Sequence, residues 1–139
     1  MGKQVDEVMT AKLCTIDADK SVAYAAKMMR DEDVGLAPIV EGDRLVGTLT
    51  DRDIAVRVVA EGKDPDATMA REVASTDIVT VDPRQDLDEA LRLMAEHQVR
   101  RIPVVEDDGR IVGIVAQADV ARRQSDDRKT GEVVERISQ

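Results

Sequence analysis

Residues of the first half of this chain return, in order, about 65 positions later. Glu7-Val8-Met9-Thr10 falls on Glu72-Val73-Ala74-Ser75, and Thr15-Ile16-Asp17 on Thr80-Val81-Asp82. Ala25 and Met29 fall on Ala90 and Met94; Val34, Pro38, Val40 and Glu41 fall on Val99, Pro103, Val105 and Glu106. One extra residue in the second turn then brings Val46, Gly47, Asp53 and Ala55 onto Val112, Gly113, Asp119 and Ala121. A unit repeated at a fixed period is one supersecondary element that buries its apolar face against its copy. In a chain of 139 residues this leaves one architecture, two small halves sharing a core.

The pattern within each unit predicts its elements. A short strand (Cys14 to Ile16, or Ile78 to Val81) ends at an Asp-rich turn, which in the second copy holds Asp82-Pro83. Val22, Ala25, Met28 and Met29 then share one face of a helix over Val22–Glu32, and Leu87, Ala90, Leu91 and Met94 repeat that spacing. Two short apolar strands follow, Ala37–Val40 and Leu45–Leu49, joined by Glu41-Gly42-Asp43. Their counterparts, Ile102–Val105 and Ile111–Val115, are joined by Glu106-Asp107-Asp108-Gly109, a hairpin signal. A last helix runs from Asp53 to about Glu61, stopped by Gly62, with its equivalent starting at Asp119. The fold class is α/β, two pseudo-symmetric repeats, each a short β-sheet packed against helices. The units span residues 5–62 and 70–125, residues 63–69 link them, and the polar tail 126–139 carries a short helix over Glu132–Ile137.

Each unit holds one stretch with chemical potential. Thr48-Leu49-Thr50-Asp51-Arg52-Asp53 takes a strand into the N-terminus of a helix, where unpaired N–H groups and a partial positive charge suit anions. A carboxylate there also suits the vicinal diol of a ribose. The same residues satisfy a simpler need, since Thr50-x-x-Asp53 is a capping box that starts a helix. In the second unit Ala116 cannot cap, yet Asp119 keeps its place.

Composition narrows the functions. The net charge of −9 disfavours binding to polyanions, so nucleic acid is excluded as a partner despite the small basic patch Arg122-Arg123. Cys14 is the single cysteine, which excludes an intrachain disulfide and a cysteine-based zinc site. With one His and one Cys, a nucleophile–base pair has little to build on, and catalysis is the weakest reading. Met28-Met29 belongs to the core, His97 to a packed or capping position at a helix end, and Cys14 to a buried strand. Met1-Gly2-Lys3-Gln4 leads into acidic residues and no apolar run reaches membrane-spanning length, so a cytoplasmic protein is expected.

Val8-Met9-Thr10, Val99-Arg100-Arg101-Ile102-Pro103-Val104-Val105 and Gly47-Thr48-Leu49-Thr50-Asp51-Arg52-Asp53-Ile54, in that duplicated order, resemble a tandem pair of cystathionine-β-synthase (CBS) domains, a Bateman module. The likeness covers about residues 5–123 and suggests a free-standing module similar to small bacterial stress-associated ones. It implies a non-catalytic sensor that needs no cofactor and binds AMP, ADP, ATP or another adenosine-containing ligand between the repeats. In the family pattern Asp53 and Asp119 meet ribose hydroxyls, and Thr50 supplies the motif's hydroxyl. Arg101 with Arg100 meets phosphate, with Arg52 as a weaker candidate; Thr15 and Thr80 line the cleft or merely begin a turn. The resemblance also implies a homodimer, with Ile54, Val58, Val59 and Val120 as exposed apolar helix positions. The competing reading is a ligand-free interaction module that docks on an unidentified protein target.

Overall fold

The computed structural model describes residues 3–121; the helix expected over 132–137, the tail and the Arg122-Arg123 patch lie outside them. A single 3₁₀ turn, Val5–Glu7, comes first, followed by β1 (Ile16–Asp17) and α1 (Val22–Glu32). Next come β2 (Leu36–Glu41), β3 (Arg44–Thr50) and α2 (Asp51–Ile54), which widens into a π turn over Ala55–Val59. The second half supplies α3 (Ala70–Val73), α4 (Leu87–His97), β4 (Arg101–Val105) and β5 (Ile111–Ala116), and residues 117–121 are helical.

The two halves follow one plan. In the first, β1 pairs parallel with β2 and β2 antiparallel with β3, in the order β1-β2-β3; in the second, β4 pairs antiparallel with β5. The strand expected over Ile78–Val81 is a correction, because only Val81 pairs, bridging Val104. The reason lies one turn on. In the first half Ala18 N–H donates to Val40 O at 2.8 Å and extends the ladder; its counterpart Pro83 has no N–H to give. The β1 strand likewise begins at Ile16, not at Cys14.

α1 starts where the sequence predicts, its N-cap Ser21 Oγ accepting from Tyr24 N–H at 3.1 Å. α2 starts at Asp51, two residues ahead of the expected Asp53, because Thr50 is the N-cap. The second-half helix starts at residue 117 and not at Asp119. Beyond Ile54 the hydrogen bonds lengthen to the fifth residue, with Ala60 N–H on Ala55 O at 2.9 Å. That wider turn changes the phase of the helix. Val58 becomes fully buried while Val56 and Val59 stay 49% and 71% exposed. Val58 is therefore corrected from an exposed to a core position; Val120 is buried in the second half's core, and Ile54 is half-buried against the first's, both also contrary to expectation.

Each half borrows a segment from before its neighbour. Ile16, Val22, Ala25, Met29, Ile39, Leu49 and Val58 pack with Ala70 and Val73 of α3, which lies beyond the linker. Val81, Leu87, Ala90, Met94, Ile102, Val104 and Val115 pack with Val5 from the N-terminal turn. The backbone contacts match in both: Ala70 N–H binds Lys20 O at 2.7 Å and Arg71 N–H Ala18 O at 3.1 Å, while Val5 N–H binds Gln85 O and Asp6 N–H Pro83 O, each at 2.9 Å. Small residues let these segments pass close. A Cβ on Gly47 would stand 2.9 Å from Ser75 O, and one on Gly113 2.5 Å from Met9 Sδ.

The charges on the two joints are reversed. Arg71 of the borrowed α3 reaches Asp19 at 2.6 Å and Glu41 at 2.9 Å. In the second half the arginine sits on the turn, where Arg84 reaches Asp82 at 3.1 Å and Glu106 at 3.2 Å, and the borrowed segment carries Asp6.

Candidate functional site

The reciprocal bonds between Thr48 and Ser75 (Thr48 N–H to Ser75 O at 2.9 Å, Ser75 N–H to Thr48 O at 2.8 Å) tie β3 to the segment entering the second half. Residues 76–80 then leave that pairing, and among the described residues they make no backbone hydrogen bond. Beside them opens a cleft of about 520 Å³ between the repeats. Leu36, Ile78, Val79, Val99 and Pro103 give it an apolar lining; Thr50, Asp77, His97, Arg100 and Arg101 bring polar groups. That size and mixture suit a small organic molecule with a few oriented polar contacts.

The two arginines are the feature that sets this cleft apart. Arg30, Arg57, Arg71, Arg84 and Arg92 have carboxylate partners, while Arg44, Arg52 and Arg110, which lie away from this cleft, make no ion pair among the described residues. Among the described residues, the exposed guanidinium groups of Arg100 and Arg101 have neither an ion-pair nor a hydrogen-bond partner. Arg101 leans toward the first half: its Nη1 lies 3.9 Å from where a Cβ on Gly35 would stand. Two adjacent cations without partners beside a cleft stand out in a chain of net charge −9.

Of the residues singled out in the sequence, the structure brings Thr50, Arg100 and Arg101 together here. Asp53 stands one turn behind. Its Oδ2 accepts Thr50 N–H at 2.9 Å, its own N–H donates to Thr50 Oγ1 at 3.0 Å, and its Oδ1 lies 3.9 Å from Arg57 Nε. Asp53 is thus engaged as a helix cap, and its side chain is 14% exposed. Asp119 sits in the other half, accepting from Thr10 Oγ1 at 3.4 Å. Thr15, Thr80 and Arg52 are exposed and are not among the residues lining this cleft.

Four polar lining residues, Thr48, Ser75, Asp77 and His97, were not identified from the sequence. Ser75 and Asp77 belong to the borrowed segment, whose path depends on the pairing with Thr48. His97 is neither packed nor capping, contrary to expectation; it is exposed at the end of α4 and faces the cleft. Its signal was its place two residues before Val99-Arg100-Arg101. Cys14 is half-buried, and burial first, then the Glu32 carboxylate, pushes its thiol pKa up, away from reactivity. Among the described residues no group of three or more His, Cys, Asp or Glu is placed to hold a metal ion, and no helix is long and apolar enough to cross a membrane.

Comparison with known proteins agrees with this architecture. The chain is 41% identical to the CBS domain-containing protein YhcV of Bacillus subtilis over 134 residues, 96% of this chain and 94% of that protein. It is 43% identical to Hypoxic response protein 1 of Mycobacterium tuberculosis over 84% of this chain and 81% of that protein. A crystal structure of Hypoxic Response Protein I with two coordinated zinc ions superposes with a TM-score of 0.79 at 40% identity, covering 86% of this chain and 98% of that one. The CBS domain pair of protein MJ0100, in complex with 5′-methylthioadenosine and S-adenosyl-L-methionine, superposes with a TM-score of 0.80 at 26% identity, covering 91% and 99%. The CBS domain model itself matches twice, at residues 5–60 and 70–126, and the chain belongs to the CBS-domain family.

Proposed function

We propose that this chain is a non-catalytic cytoplasmic regulatory module that binds an adenine nucleotide (AMP, ADP, ATP or a related adenosyl compound) in the cleft between its CBS domains. The observation that carries the reading is the pair of unpartnered arginines, Arg100 and Arg101, beside the Thr50 hydroxyl over an apolar lining. A flat purine buries its faces against Ile78, Val79 and Val99, while a phosphate takes charge-assisted hydrogen bonds from the guanidinium groups. For the ribose two acids are at hand: Asp53, whose Oδ1 is free of the cap, and Asp77 on the cleft wall. The adenosyl ligands held by the MJ0100 domain pair support the ligand class.

A thermal-shift series with AMP, ATP, NADH and S-adenosylmethionine tests this. A bound ligand at 100 times its Kd adds about 2.7 kcal/mol to stability. Arg101→Ala then weakens AMP by roughly ten- to a hundredfold and leaves adenosine nearly unchanged. No stabilisation by any of the four compounds refutes the reading.

The second reading is a module that works through protein contacts, first of all with its own copy. The observation favouring it is the exposure of Val56 and Val59 on the helix after Thr50. Two such helices meeting about a two-fold axis would form an isologous homodimer interface.

A further inference from the structure

We propose that Arg57, which does not line the cleft, is a positioning residue for it: its guanidinium holds the cleft-wall segment that begins at Ser75. The proposal rests on the nucleotide reading above and adds a residue outside the cleft on which affinity depends. α3 has only four residues, so the carbonyls at its end lack partners inside the helix. Arg57 Nη1 donates to the last of them, Val73 O, at 3.0 Å, a long-range version of the basic cap that closes many helix ends. Its Nε lies 3.9 Å from Asp53 Oδ1, while Asp53 Oδ2 accepts the Thr50 N–H. Two residues past Val73, Ser75 exchanges backbone bonds with Thr48. The contacts thus close a ring from Thr48 and Thr50 through Asp53, Arg57 and Val73 to Ser75. Thr48, Thr50 and Ser75 are cleft residues; Arg57 is the side chain that joins their two supports.

The other half shows what the arginine replaces. Asp53 and Ser75 fall on Asp119 and Thr10, and there the two side chains meet directly, Thr10 Oγ1 donating to Asp119 Oδ2 at 3.4 Å. Among the described residues no hydrogen bond joins the side chains of Ser75 and Asp53; the link runs through Arg57, and Ser75 stays on the cleft wall. Arg57 is the middle residue of the π turn over Ala55–Val59, and such interruptions of a helix are frequent at functional sites. The wall needs the support. Residues 76–80 make no backbone hydrogen bond of their own, so the segment is held at its two ends, by Ser75 on Thr48 and by Val81 on Pro103.

Amide hydrogen exchange and AMP calorimetry on the full chain, beside melting curves, test the assignment. The Arg57 side chain is 47% exposed, so Arg57→Ala leaves the core intact. It should speed exchange of the Ser75 N–H at least about tenfold and leave the Thr10 N–H, the matching bond of the other half, within about twofold. AMP should bind at least about fivefold more weakly, although no cleft residue has changed. Arg57→Lys, which keeps a donor for Val73 O, should restore most of both properties. Unchanged exchange at Ser75, equal acceleration at Ser75 and Thr10, or full AMP affinity beside faster Ser75 exchange would overturn the proposal while leaving the nucleotide reading intact. A chain that binds no AMP before any substitution sinks that reading, and exchange at Ser75 against Thr10 still decides whether Arg57 holds the wall.

Discussion

Thr50 and Asp53 cap each other: the Asp53 N–H donates to Thr50 Oγ1 at 3.0 Å and the Thr50 N–H to Asp53 Oδ2 at 2.9 Å. The pair closes the turn between β3 and α2 and places the Thr50 side chain on the cleft wall. Asp53→Asn keeps one acceptor oxygen but loses the charge at the helix N-terminus, so stability should fall by about 0.5–1 kcal/mol. Asp119→Asn should cost less at its helix start, because Ala116 offers no partner for a capping box. On the nucleotide reading Asp53→Asn also weakens AMP more than Asp119→Asn does. Urea melts beside calorimetric titrations measure both effects, and unchanged affinity in both variants would favour the interaction module.

The close approach of the borrowed segments makes a second prediction. At Gly47 an added methyl would meet backbone, Ser75 O at 2.9 Å, with Ala74 Cβ at 3.2 Å. At Gly113 the two nearest atoms belong to the flexible Met9 side chain, and the backbone Thr10 O stands farther off than Ser75 O does from Gly47, at 3.1 Å. Gly47→Ala should therefore destabilise by about 1–3 kcal/mol, and Gly113→Ala by less. Equal losses in thermal or chemical denaturation would mean that the two joints yield alike.

Reversed charges at the two joints permit an exchange of polarity. Asp19→Arg alone sets a second cation beside Arg71 and should lower the melting temperature. Adding Arg71→Asp copies the arrangement of the other half, where Arg84 sits on the turn and Asp6 on the borrowed segment. The double variant should recover most of the loss. A double-mutant cycle reads the coupling directly, and simple additivity would show that these exposed charges do not interact.

Val56 and Val59 are the apolar side chains that the π turn leaves outside. Val59→Glu should leave the fold and its melting temperature almost unchanged, because the side chain is 71% exposed. If the helices join two copies, light scattering should show dimer for the unmodified chain and monomer for the variant. Monomer for both at micromolar protein would refute the homodimer.

The duplication determined most of the architecture. Periodic apolar positions and turn residues are local properties, and they placed α1, both hairpins and the Thr50–Asp53 cap on sequence evidence alone. The adjacent charges of Arg100 and Arg101 were also legible, as the one doublet of cations in either repeat's version of that stretch; their lack of ion-pair partners was not. Long-range contacts decided the rest. That Val5 completes the second half's core and Val73 the first's follows from which segment docks on which turn, a choice no local pattern encodes. The place of Ser75, Asp77 and His97 on one cleft depends on the same docking. Val58 and Val120 were misread because helix periodicity gives the spacing of a face but not which face meets the core. The π turn set that phase for Val58, and a single missing N–H, at Pro83, decided how far the parallel pairing could extend in the second half.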